Sequence, residues 1–358
     1  MLKDLKFIPL KGMGINKQFK IWSRISSDQV LPTPSYNFFD EGAEAFVIGS
    51  CFANEIRAVL ERVNITVHPK IDAEIEALFP DELKIAPSWG KWDERVHYQC
   101  YTPMSIQQEI SQALGCWQME DDAIIETSKN GKSIFWDPYR RSVYAHSREA
   151  LLRIRKIMNE RIRAGIEKAD FIIVTLGLVE AYRLKNFSGY AAELNPDIMN
   201  ETNFENLSYE SAHLAVANFC DMINKVYPDK KIIISVSPIP LNRTFADTDV
   251  ISATTRGKSI LRVVADAIIE KRDFVYYWPS YEYVMWSGRA FCEDDLRHVT
   301  PEIVNEITKA FCSSFFSEKI AKKVNSHRST SNQNIKWRDV VKKIAHKYLN
   351  KIRRKLLS

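Results

Sequence analysis

The chain has 358 residues, 45% of them hydrophobic, which suffices for a well-buried core and excludes wholesale disorder. No run approaches the roughly 18 apolar residues of a spanning helix, and the cysteines at 51, 100, 116, 220, 292 and 312 form neither a C-x-x-C pair nor a zinc pattern. The net charge of +5 sits at one end: residues 336–358 hold nine basic side chains and one acidic, a local +8 that leaves −3 elsewhere and argues against a nucleic-acid-binding domain.

In chain order, residues 1–44 read as an irregular, polar-aromatic lead-in that packs on a core formed elsewhere. The charged start Met1-Leu-Lys-Asp-Leu-Lys6 precedes no apolar stretch, so a cytoplasmic protein with reduced thiols is expected. Ala45-Phe-Val-Ile48 is an apolar run stopped by Gly49, the pattern of a strand covered on both faces. A helix is expected from Ala53 to Val63, with Ile56, Val59 and Leu60 at helical spacing, and a strand over Val63–Val67. Residues 70–145, rich in Pro and Trp, read as an insertion with one helix near Ser105–Gly115. Arg148–Glu167 is amphipathic and helical. Phe171–Leu176, Lys231–Val236 and Phe274–Tyr277 read as buried strands, separated by helices over Asn206–Val226 and Ser259–Lys271. Pro301–Phe315 closes the domain, with Thr300 as its cap.

This alternation predicts an α/β fold: a flavodoxin-like, doubly wound, mainly parallel five-stranded sheet with helices on both faces, spanning 45–320. In such a sheet, ligands sit beyond the carboxyl ends of the strands. Residues 325–334 read as a polar linker. Within 335–358, Trp337, Val340, Val341, Ile344, Tyr348, Ile352 and Leu356 repeat at three and four residues, which predicts a basic amphipathic helix suited to an anionic membrane surface. Docking of that helix on the domain or on a second copy is the alternative.

Gly49-Ser50-Cys51 joins a strand to a helix. A hydroxyl at a helix start can attack a carbonyl while backbone N–H groups meet the developing charge; Ser is equally a favoured helix cap. A serine nucleophile needs a base. His298, in Asp295-Leu-Arg-His298, falls on the same rim before the last helix, and Asp295 is one turn away to orient the ring. Cys51 is a rival nucleophile or a small buried hydrophobe. Trp136 and Arg140, with Arg141 beside them, and Trp89 are candidate substrate contacts, by stacking on a sugar or fixing an anion. His146 reads as a cap for the helix that follows it.

Ile48-Gly-Ser-Cys-Phe-Ala53, Thr175-Leu-Gly-Leu178, Ser235-Val-Ser-Pro-Ile-Pro-Leu241 and Asp295-Leu-Arg-His298 occur in the order found in the GSCFA family, which looks like a branch of the SGNH (GDSL-like) hydrolase superfamily. The resemblance runs from about Phe46 to Phe315. It implies Ser50 as nucleophile, His298 as general base and Asp295 as its orienting acid. It also implies an oxyanion hole from the Ser50 N–H, Gly177, a loop glycine such as Gly90, and an asparagine. The asparagine is missing: Leu178-Val-Glu180 follows Gly177, and Asn54 is a substitute at a distance of one helical turn.

The expected activity is cleavage of an ester on an O-acylated carbohydrate, without metal or organic cofactor. O-acyl transfer to a glycan and non-catalytic glycan binding are the alternatives.

Overall fold

The computed structural model describes residues 35–70, 74, 77–79, 94–129, 132–194, 196–286 and 297–326. It begins with β1, Glu44–Gly49, whose alternate side chains set the layering. Phe46 and Ile48 enter one hydrophobic core, Ala45 and Val47 a second on the opposite face. Next come α1 (Cys51–Arg62), β2 (Thr66–His68) and α2 (Pro103–Ala113). Then β3 (Ile125–Lys129), β4 (Lys132–Trp136) and β5 (Tyr144–Ala145) form a three-stranded antiparallel sheet.

The long α3 (Arg148–Lys168) leads into β6 (Phe171–Leu176). β7 (Glu180–Leu184), β8 (Tyr190–Ala191) and β9 (Thr202–Asn206) make a second small antiparallel sheet. The remaining elements are α4 (Tyr209–Val226), β10 (Lys231–Val236), α5 (Val250–Lys271), β11 (Val275–Trp278), α6 (Ser280–Trp286), α7 (Pro301–Phe315) and α8 (Glu318–Ser326).

The main sheet has the order β2-β1-β6-β10-β11, and every pairing in it is parallel. Counted along the chain this is 2-1-3-4-5, the doubly wound order expected from the alternation. One face packs on α2, α3, α4 and α5 through residues such as Ile110, Ile154, Phe219 and Leu261. The other packs on α1 and α7 through Ile56, Leu60, Ile307 and Phe311. Residues 36–39 run beside the end of α7: the Phe38 N–H donates to Phe315 O at 2.8 Å, and the Phe39 ring stacks on Phe171 at 4.1 Å.

Two expectations change. The insertion at 70–145, expected to hold one helix, also holds the first small sheet, β3 to β5. The helix expected from Ser259 begins at Val250, capped by the Asp249 carboxylate, which accepts from the Ile251 N–H at 2.8 Å. That added length positions a site residue described below. The cysteines at 51, 100, 116, 220 and 312 are free. Among the described residues no helix is long and apolar enough to cross a membrane. The chain divides into two units, 1–324 and 325–358, and of the second only Asn325 and Ser326 fall within the described residues.

Candidate active site

β1 and β6 run side by side and in the same direction, so Gly49 and Thr175 are paired at their carboxyl ends. There Gly49 adopts φ +139°, and a Cβ at that position would stand 2.3 Å from the Thr175 carbonyl oxygen. Only glycine lets the chain turn this close to β6. Ser50 follows as the N-cap of α1, with extended backbone. Its side chain makes no capping hydrogen bond; Oγ instead lies 3.2 Å from Thr175 Oγ1. The capping explanation for this serine therefore does not hold. The residue is buried at 1% exposure.

Gly177 closes the other side. A Cβ there would meet Ser50 Cβ at 3.0 Å and the Tyr101 carbonyl oxygen at 2.8 Å. The Gly177 and Leu178 N–H groups both donate to Tyr101 O, at 3.1 and 2.7 Å. The chain at 99–101 thus crosses the ends of β1 and β6, held also by Cys100 N–H to Gly49 O at 2.8 Å. The Tyr101 hydroxyl donates to Gln99 Oε1 at 2.6 Å, and the Arg141 guanidinium donates to both. Arg141 Nε reaches Glu193 at 3.3 Å. Burial raises the Tyr101 phenol well above its usual range.

From the opposite direction comes Lys258 of α5. It is buried at 3% exposure, and its ammonium donates to the Gly177 carbonyl at 2.7 Å. Burial pushes it down to about 7, with Cys51 opposing and Arg297 reinforcing the shift. The helix comes close enough because Gly257 packs on Val179: a Cβ at 257 would stand 3.1 Å from Val179 Cγ2. Cys51, expected as a buried hydrophobe, is half-buried and lies in the field of Tyr101, Arg141 and Lys258.

His298 is half-buried between Arg297, whose Nε donates to Pro240 O at 3.1 Å, and the core residue Val299. Pro240 lies on the loop leaving β10, so His298 belongs to the rim that carries Ser50. Asp295, Gly90, Trp89 and the segment 336–358 lie outside the described residues.

Several sequence-based assignments change. The Ser50 N–H is already committed to Thr175, at 3.0 Å to Oγ1 and 3.2 Å to O, and the Gly177 N–H to Tyr101. Neither amide is open to an oxyanion in this arrangement. Asn54 is half-buried on the first turn of α1. Glu180 is buried and anchors the loop after β10. Its carboxylate accepts from the Thr244 hydroxyl and from the Phe245 N–H, the latter at 3.2 Å.

Trp136 is fully buried among Met119, Tyr139 and Leu184. Arg140 spans Glu109 with two bonds of 2.9 and 2.8 Å, and also bonds Asn159. Both are packing residues rather than ligand contacts, and the arginine that reaches the Tyr101 segment is its neighbour Arg141. His146 is exposed, and Ser147 caps α3 instead by accepting from the Ala150 N–H at 3.1 Å. In the sequence Thr175 has a place in a motif but no role at the site, and Lys258 is not singled out. A threonine in an apolar strand and a lysine in a polar helix turn carry no local signal of such roles. Among the described residues no three His, Cys, Asp or Glu side chains group to hold a metal ion.

The family model described as "GSCFA family" matches residues 44–311, three quarters of the chain, and the chain belongs to that family. No curated protein matches it.

Proposed function

We propose that this member of the GSCFA family is a serine-dependent ester hydrolase of SGNH type, acting on an O-acylated carbohydrate. The observation that carries the reading is the state of Ser50: it opens α1 without capping it, and its hydroxyl turns to Thr175 at the carboxyl edge of the sheet. A serine that served only the helix would accept from an N–H of the first turn.

In the proposed reaction Ser50 Oγ attacks the acyl carbon and His298 takes the hydroxyl proton. The carbonyl π pair moves to oxygen, giving an oxyanion. Its collapse breaks the bond to the alcohol, which leaves with the proton from His298. Water then attacks the acyl-serine with His298 again as base, the bond to Ser50 Oγ breaks, His298 returns the proton to Oγ, and the acid departs. Asp295 would hold the His298 ring in the productive tautomer. A sugar hydroxyl in place of water would make the same site a transferase.

The test is hydrolysis of a chromogenic acetyl ester by the full chain. Ser50→Ala and His298→Ala should each lower kcat by about 10³-fold or more with thermal melting unchanged. Unchanged turnover in both variants would refute the reading. Adding a sugar acceptor and following acyl transfer separates transferase from hydrolase.

A further inference from the structure

The site contains a buried cation that the proposed reaction does not use. Lys258 is almost fully buried, and its hydrogen bond among the described residues is to one backbone carbonyl, Gly177 O. Buried ammonium groups are ordinarily paired with carboxylates, because taking a charge out of water costs several kcal/mol. A charge left on a lone carbonyl needs another reason to be retained.

Its position supplies one. Gly177 is the residue that packs against Ser50 Cβ, so Lys258 and Ser50 both abut Gly177. Cys51, the first residue of α1, also acts electrostatically on the ammonium. The two backbone amides expected to hold the oxyanion are spent on Thr175 and Tyr101, and Leu178-Val-Glu180 after Gly177 offers no amide side chain, Glu180 being bound to the loop after β10. The site is therefore short of donors for negative charge and has a buried positive group on Gly177, the residue packed against the nucleophile.

We propose that Lys258 is the oxyanion-stabilising residue of this site, its ammonium meeting the negative oxygen that forms when Ser50 attacks the acyl carbon. This rests on the serine-hydrolase reading above. In the ground state the ammonium sits on the Gly177 carbonyl. As the substrate carbonyl gains charge, one of its remaining N–H bonds turns to that oxygen. The lysine stays protonated throughout and transfers no proton; the Ser50 proton still goes to His298. A full charge in a water-poor site acts more strongly on the transition state than on the neutral ester, which is the requirement for raising kcat.

The titration gives the role a sign. The group must be charged to work, and burial brings its titration to about 7, with Cys51 on α1 and Arg297 ahead of α7 as the other ionisable groups acting on it. Activity should therefore fall as pH rises through the neutral range. A lysine serving as general base would do the reverse.

The experiment measures kcat and KM for the acetyl ester from pH 5.5 to 9.5 with the full chain, Ser50→Ala, Lys258→Met and Lys258→Arg, with melting curves for each. Native protein should lose kcat on the alkaline side of neutrality. Lys258→Met should lower kcat by roughly 100-fold or more with little change in KM and no alkaline loss. Lys258→Arg should retain part of the rate and move the alkaline limb beyond the measured range. The native pH profile needs no variant: a kcat that climbs or stays level from pH 6 to 9 overturns the proposal. So does Lys258→Met within about threefold of native kcat, the size of an ordinary peripheral effect. An inactive Ser50→Ala beside an unaffected Lys258→Met sinks Lys258 alone, whereas an active Ser50→Ala sinks the serine mechanism itself.

Discussion

Gly49 shows how one residue sets the site. Its φ of +139° and the 2.3 Å that would separate a Cβ from Thr175 O leave no room for a side chain. Gly49→Ala adds left-handed strain and a clash with backbone that cannot move without breaking the β1–β6 pairing. The expected loss is about 3 kcal/mol or more, read as a fall in the urea midpoint. Lys258 predicts the opposite. Its folded-state titration lies below the unfolded value of 10.5, at about 7, so between those values the unfolded chain binds more protons and stability rises with pH. Below about 7 the full penalty of burying the charge is present. Lys258→Met removes it, and the variant should be more stable than native protein at pH 7 by roughly 2 kcal/mol or more, with the gain shrinking toward pH 10. Urea unfolding at pH 7 and 9.5 checks both sign and trend; a variant less stable than native protein at pH 7 would mean that the buried charge carries no such penalty. Sequence pointed to Ser50 and His298 through motif order, but Thr175 and Lys258 only become site residues through pairing and packing that the linear order of residues does not contain.

At the scale of elements, four of the five parallel strands were legible because each is a short apolar run closed by a turn residue, and a buried strand admits little else. β2, expected over Val63–Val67, is Thr66–His68, because Val63 ends α1 and Asn64 turns at φ +64°. The antiparallel strands were harder. β3 and β4 carry Glu126, Lys129 and Lys132 among their apolar residues, and the Asn-Gly at 130–131 between them is the hairpin signal that identifies the pair. The start of α5 was hidden by Thr254-Thr-Arg-Gly257, polar residues that interrupt the apolar stripe. Yet Ala253, Gly257, Lys258 and Leu261 share its buried face, and Gly257 there lets the helix approach Val179, just beyond β6. Gly257→Leu should push α5 away from Val179 and draw Lys258 off Gly177. Overpacking of this kind costs about 1–3 kcal/mol, and kcat should fall more than KM rises. A Gly257→Leu variant with native kcat would show that the approach of α5 does not matter to the site.

At the scale of the whole molecule, a buried polar network ties the first small sheet and its loop to the helices. Arg140 pairs with Glu109 of α2 and Asn159 of α3, and Arg155 of α3 pairs with Asp137 at 2.9 Å. Glu109, Asp137, Arg140 and Arg155 are all buried, so removing one partner strands another charge. Arg140→Met should cost about 3–5 kcal/mol in urea unfolding and leave the residual kcat of folded protein near native, since Arg140 does not reach Ser50. The basic segment 336–358 is a separate matter of charge and periodicity. If it binds an anionic surface, the full chain should co-sediment with vesicles containing phosphatidylserine and release at high salt, and Lys351, Arg353, Arg354 and Lys355 changed together to Gln should abolish this. Equal sedimentation of both proteins would exclude the membrane role.

Everything proposed for the site depends on Ser50 being the nucleophile of a working esterase, and covalent labelling reads that out on the residue itself. The full chain is treated with a fluorophosphonate and digested, and the modified residue is located by mass spectrometry. A single adduct on Ser50 is expected, absent from His298→Ala and formed more slowly as pH rises above neutrality. An adduct on another residue, or no adduct on correctly folded protein, would rule out Ser50 as the nucleophile.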